Sequence, residues 1–158
     1  MTLPKKNGDI LAVIDTHIFV PALASQPAEA RFYACAILKC WKFVFSESIT
    51  AEYQKVVQKF GFRGDVIIHE LNKLYAMNKY RESGGDPAGV TDDLAPEDDR
   101  HIIAPCVHGH ATVVVSNERG IQQRKAQIRA KTGARVLTMA EAEKELGPMP
   151  DCHANPNP

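Results

Sequence analysis

Asp15, Glu52, Asp99 and Glu118 are the side chains whose type and placement in this sequence could carry chemistry. Asp15 closes the apolar run Leu11 to Ile14, and Glu118 follows three consecutive valines by a few residues. Glu52 comes shortly after a second apolar run, and Asp99 stands one turn ahead of Ile102 and Ile103. Carboxylates crowded within a few ångströms repel by several kcal/mol per pair at an effective dielectric of about 20, so they must be protonated, paired or bound to a cation. Acids with no obvious His or Cys partner suit hard Mg²⁺ or Mn²⁺ and disfavour zinc. Such a site supports hydrolysis of a phosphodiester by metal-activated water, with one or two metals stabilising the attacking and leaving oxygens and no covalent nucleophile. The plain alternative is four separate solvated acids or helix caps.

To bring these acids together, the intervening elements must deliver them to one place. Leu11 to Ile14 and Lys42 to Phe45 are continuous apolar runs of strand length. "ATVVVS" and "ARVLT" supply two more strands, the first suited to a buried parallel sheet. Ala28 to Trp41 has helical apolar spacing, and Val66 to Tyr80 reads as another helix. Ser46 offers an N-cap hydroxyl to a helix running to about Gly61, with Glu52 on the flank of its apolar stripe. The segment "ESGGDPAG" reads as loop. Pro96 with three following acids resembles a helix start, and Pro105 should bend or shorten that helix. One Arg/Lys-rich helix is expected after the valine strand, and another over Met139 to Leu146. Strands alternating with helices predict an α/β fold, a three-layer α/β/α sandwich with a mostly parallel central sheet. In such a sheet, ligands bind beyond the carboxyl ends of the strands, where Asp15 stands.

A length of 158 residues suits one domain with one core. Its expected extent is 10–146, after an N-terminal extension at 1–9 and before a proline-rich tail at 147–158 expected to be disordered. No apolar run approaches the roughly 18 to 20 residues of a membrane span, and the first nine residues lack a signal-peptide core, so a cytoplasmic location with no membrane partner is expected. The four cysteines show no C-x-x-C spacing and read as free thiols. "CVHGH" lacks a second ligand pair at zinc spacing and reads as a helix end. Net charge is zero by cancellation: every charged residue from Glu82 to Asp99 is acidic, whereas those from Arg119 to Arg135 are all basic. The basic segment, with Arg119, Arg124, Lys125 and Arg129, is a candidate polyanion-binding patch, against the ordinary alternative of a solvated helix face.

Four motifs, "VIDTHIFVPAL", "SESITAEYQKVV", "PEDDRHIIA" and "HATVVVSNERGI", follow one another in the order and spacing of the PIN-domain ribonucleases, which this chain resembles from about Ile10 to Glu145. It is most similar to the subgroup regarded as toxins of toxin–antitoxin pairs, related to the VapC toxins. The resemblance implies a PIN-like nuclease domain and a metal-dependent endoribonuclease. Its metal-binding and catalytic acids would fall on Asp15, Glu52, Asp99 and Glu118, with Mg²⁺ or Mn²⁺ as cofactor. Thr16, His17, Asp98, Ser116 and Asn117 are candidate supporting residues, with capping the commoner role for Ser116 and Asn117. Of the adjacent pair, Asp99 is favoured over Asp98 for the metal by its spacing to the isoleucines. The implied partners are an RNA substrate, a cognate antitoxin protein and a second copy of the chain in a homodimer. His17 stands where the family usually has Asn, Glu118 where it usually has Asp, and Pro105 where a small helix former is common. The competing expectation is a noncatalytic PIN module that binds RNA or a protein through a degenerate metal site. Asp15 after an apolar strand also resembles the haloacid-dehalogenase-type phosphatases, but their required second acid is replaced here by His17.

Overall fold

The computed structural model describes residues 10–84, 93–108 and 111–147. The expectations for residues 1–9 and for a disordered tail from 148 onward lie outside the described residues, as do residues 85–92 of the acidic loop region. Five strands form one parallel sheet: β1 (Leu11–Ile14), β2 (Lys42–Phe45), β3 (Tyr80–Glu82), β4 (Val113–Val115) and β5 (Arg135–Leu137). Their spatial order is β3-β2-β1-β4-β5. The first three strands wind outward in one direction from β1, and the last two wind in the other, so the winding reverses between β1 and β4. Connections between parallel strands are right-handed, which places the helices of the two halves on opposite faces and gives the α/β/α sandwich.

The helices are α1 (Thr16–Leu23), α2 (Pro27–Leu38), α3 (Glu47–Val57), α4 (Asp65–Ala76), α5 (Arg100–His108), α6 (Arg119–Gln122), α7 (Lys125–Thr132) and α8 (Met139–Leu146). None of them is long and apolar enough to cross a membrane. Periodicity offers no signal for α1, because Ile18, Phe19, Val20 and Ala22 are all buried and leave no polar face to read. Asp15 starts α1 by accepting a hydrogen bond from the His17 amide. Pro21 is accommodated inside it.

Three further elements differ from the sequence expectation. The helix expected to reach Tyr80 stops at Ala76, and Tyr80–Glu82 instead form edge strand β3 against β2. Asn78 turns the chain there in the left-handed region, at φ 58°, and a short Asn tolerates that conformation. The single basic helix is split into α6 and α7, with Arg124 between them. The acids after Pro96 form one turn of 3-10 helix, Glu97–Asp99, that leads into α5, and α5 continues through Pro105 to His108.

The core is an aromatic cluster under β1 and β2. The Phe19 ring stacks on Tyr53 at a centroid distance of 4.5 Å and meets Tyr33 and Phe45 edge-on. The buried Tyr53 hydroxyl donates to the carbonyl of Ile14, the last residue of β1. Burial, and then the neighbouring Asp15, push the Tyr53 phenol well above its ordinary range, so it stays a donor. That bond locks α3 against the strand end that bears Asp15. Among the described residues, Cys35, Cys40 and Cys106 form no disulfide, and Cys106 lies near the end of α5 as a helix residue.

Candidate metal centre

The reversal point between β1 and β4 opens a crevice at the carboxyl ends of both strands, where the chain places its acids. Asp15 leaves β1 almost wholly buried, and its amide donates to the Val115 carbonyl of β4 at 2.9 Å. One residue past β4, the Ser116 hydroxyl donates to Asp15 Oδ2 at 2.6 Å and accepts from the Glu118 amide at 3.0 Å. Ser116 is fully buried and therefore joins the two strand ends directly, a positioning role rather than a cap. Asn117 turns the other way: its Oδ1 accepts from the Met139 amide at the start of α8.

A cleft of about 310 Å³ is lined by Asp15, Glu52, Asp98 and Asp99, together with Thr16, His17, Lys55, His101 and Ile102. Three of the four expected metal-binding acids thus share one hollow. Asp98 lines it as well, so the choice between the two neighbouring aspartates is not an exclusion. Glu118 joins the group from the β4 side through His17, whose Nδ1 lies 3.4 Å from Asp15 Oδ1 and 3.2 Å from Glu118 Oε1. Ligand atoms of Asp15, His17 and Glu118 lie within 4.8 Å of one another, the one such group among the described residues.

An imidazole, that of His17, thus stands among the acids. Sequence reading gave His17 only a supporting place and a departure from a motif, because nothing local shows that residue 17 will face residue 118 across the sheet. Glu52 and Asp99 lie outside the tight group but line the same cleft.

Electrostatics tie Asp99 to the other acids. Burial raises its pKa first, the charges of Asp15, Glu118 and Asp98 raise it further, and only His101 opposes them. Such mutual repulsion is what a bound cation relieves. Gly120 makes this proximity possible, since a Cβ there would lie 2.7 Å from Pro96 Cγ and 3.8 Å from Asp99 Oδ2. Its only sequence signal is a glycine two residues after Glu118, which by itself does not reveal a close approach.

The donor set fits a divalent cation. Carboxylate oxygens predominate, and one imidazole nitrogen accompanies them. Oxygen ligands favour Mg²⁺ or Mn²⁺, and the imidazole tilts the balance toward Mn²⁺.

Arg119, Arg124, Lys125 and Arg129 do not line the cleft. Arg124 donates to the Gly120 carbonyl at 3.1 Å, and the farther Arg135 is held by Glu145 through two bonds of 2.6 and 2.9 Å. Lys55 does line the cleft, three residues after Glu52 on α3, and sequence reading passed over it. A larger hollow of about 520 Å³ lies at the opposite ends of β4 and β5, against Cys106, Thr112 and Lys131, and gathers no carboxylates. Chemistry, not size, distinguishes the candidate site.

No family model, curated protein or solved structure matches this chain.

Proposed function

We propose that the protein is a metal-dependent endoribonuclease of PIN type, the toxin component of a toxin–antitoxin pair related to the VapC toxins, acting in the cytoplasm. The observation that carries this reading is the meeting of Asp15, Glu52 and Asp99 in one cleft at the sheet's reversal point, with Glu118 reaching Asp15 through His17. Asp15, Glu118 and Asp99 would hold Mg²⁺ or Mn²⁺, with Glu52 and His17 beside them. The cation supplies charge to polarise a phosphodiester and to make a water nucleophilic near neutral pH. Ser116 fixes the Asp15 carboxylate, Tyr53 fixes the helix that carries Glu52, and Gly120 lets Asp99 approach. The same reading includes a cognate antitoxin and a second copy of the chain as partners. The exposed Ile68 and Tyr75 on α4, beside Leu71 and Tyr80, offer an apolar surface for such contacts.

One observation favours a second reading. With a proton on Nδ1, His17 can donate to Asp15 or Glu118 and satisfy the acids without any metal. The chain would then be a noncatalytic PIN module that binds RNA or a protein. Incubation of the purified protein with mixed RNA, in Mn²⁺ or Mg²⁺ and in EDTA, beside the Asp15→Asn variant, separates the two. The nuclease reading expects cleavage only by the unaltered protein with metal present. Equal cleavage by the variant, or cleavage in EDTA, overturns it. If neither protein cleaves and Mn²⁺ leaves thermal stability unchanged, the binding module stands in its place.

A further inference from the structure

Two buried side-chain polar atoms among the described residues have no hydrogen-bond partner, Thr16 Oγ1 and His101 Nε2, and both residues line the acid cleft. Buried polar atoms are nearly always paired, because an unpaired one bears its full desolvation penalty. Thr16 is only 3 % exposed, and the cleft is the space that it lines. Lys55 lies on the same wall as Glu52, three residues along the helix, and forms no ion pair with a described residue. A hydroxyl, an imidazole N–H and an ammonium share one capacity: each donates to an oxyanion. They are also the groups in a cleft of acids that could offset the repulsion met by an entering phosphate.

Building on the nuclease reading above, we propose that Thr16, Lys55 and His101 form an anion subsite that takes the non-bridging oxygens of the RNA backbone phosphate at the acid cleft. The basic segment from Arg119 to Arg135 is then peripheral to substrate positioning, consistent with its absence from the cleft lining.

The test is fluorescence anisotropy with a labelled single-stranded RNA hexamer, using Ca²⁺ in place of Mn²⁺ to hold back turnover, beside a separate thermal unfolding series with Mn²⁺ alone. Lys55→Gln and Thr16→Val should each weaken RNA binding roughly tenfold, as expected for loss of a charge-assisted hydrogen bond. His101→Gln should weaken it by a smaller factor, and Lys55→Arg should restore it. The Mn²⁺ thermal shift of Lys55→Gln should match that of the unaltered protein, which separates substrate positioning from metal binding. Lys55 is exposed, so its variant folds whatever becomes of Thr16→Val. Unchanged affinity in Lys55→Gln and Thr16→Val overturns the subsite, as does a loss carried instead by the Arg119→Gln, Arg129→Gln double variant. A Mn²⁺ shift without any RNA binding overturns the subsite and leaves the metal site standing. Absence of both overturns the nuclease reading, and the subsite with it.

Discussion

Asp99 shows how one residue reports on the whole site. Its carboxyl is pushed up first by burial and then by Asp15 and Glu118, so the folded protein holds its proton more tightly than the unfolded chain does. The metal-free protein is therefore favoured in acid, and that contribution is lost as pH rises from the ordinary carboxylate range through Asp99's raised value. A cation competes with the same proton, so stabilisation by Mn²⁺ should grow across that window. Melting curves against pH, with and without Mn²⁺, should show these opposite slopes. Asp99→Asn should remove both slopes and stabilise the metal-free protein at neutral pH by about 0.5 kcal/mol, a small effect because the group is only partly buried. Variant and unaltered protein with equal Mn²⁺ shifts would show that Asp99 holds no metal. At this scale the four acids were legible in the sequence because each follows a strand or leads a helix. Thr16 and His17 were legible only as supporting neighbours of Asp15, and Lys55 and His101 not at all, since a residue's neighbours across a sheet leave no mark beside it in the chain.

At the scale of elements, the site depends on how closely the turn that carries Asp99 approaches the start of α6. Gly120 sits at that contact, and a methyl group there would overlap the Pro96 ring. Gly120→Ala should therefore push the 3-10 turn away, with a loss of about 1–3 kcal/mol from overpacking and a weaker response to Mn²⁺. Denaturant unfolding and the Mn²⁺ thermal shift measure the two effects, and a variant unchanged in both would show that the turn yields freely. Four of the five strands were readable as apolar runs. β3 was not, because "YRE" is two half-exposed residues and an exposed one, whose strand character comes from the β2 edge they pair with. The helix α1 was hidden for the opposite reason: it is buried nearly all round, so its apolar residues mark no single face.

On the proposed metal-binding reading, the whole molecule should respond to a cation by mass action, because the acids meet only in the folded state. At a Mn²⁺ concentration of about 100 times its Kd, one site adds about 2.7 kcal/mol. For a chain of this size that raises Tm by roughly 5–10 °C. EDTA should reverse the shift, and Asp15→Asn should abolish it. A Tm that ignores Mn²⁺ would favour the reading in which His17 alone satisfies the acids. The sequence by itself determined the fold class, four of the five strands and the positions of the four acids, because apolar run length and the charge that ends a run are local properties. Only the tertiary structure decided that the winding reverses between β1 and β4, which sets Asp15 beside Ser116 and leaves Glu118 facing His17. Those contacts join residues about a hundred positions apart, and strand order, which sequence periodicity does not encode, is what brings them together.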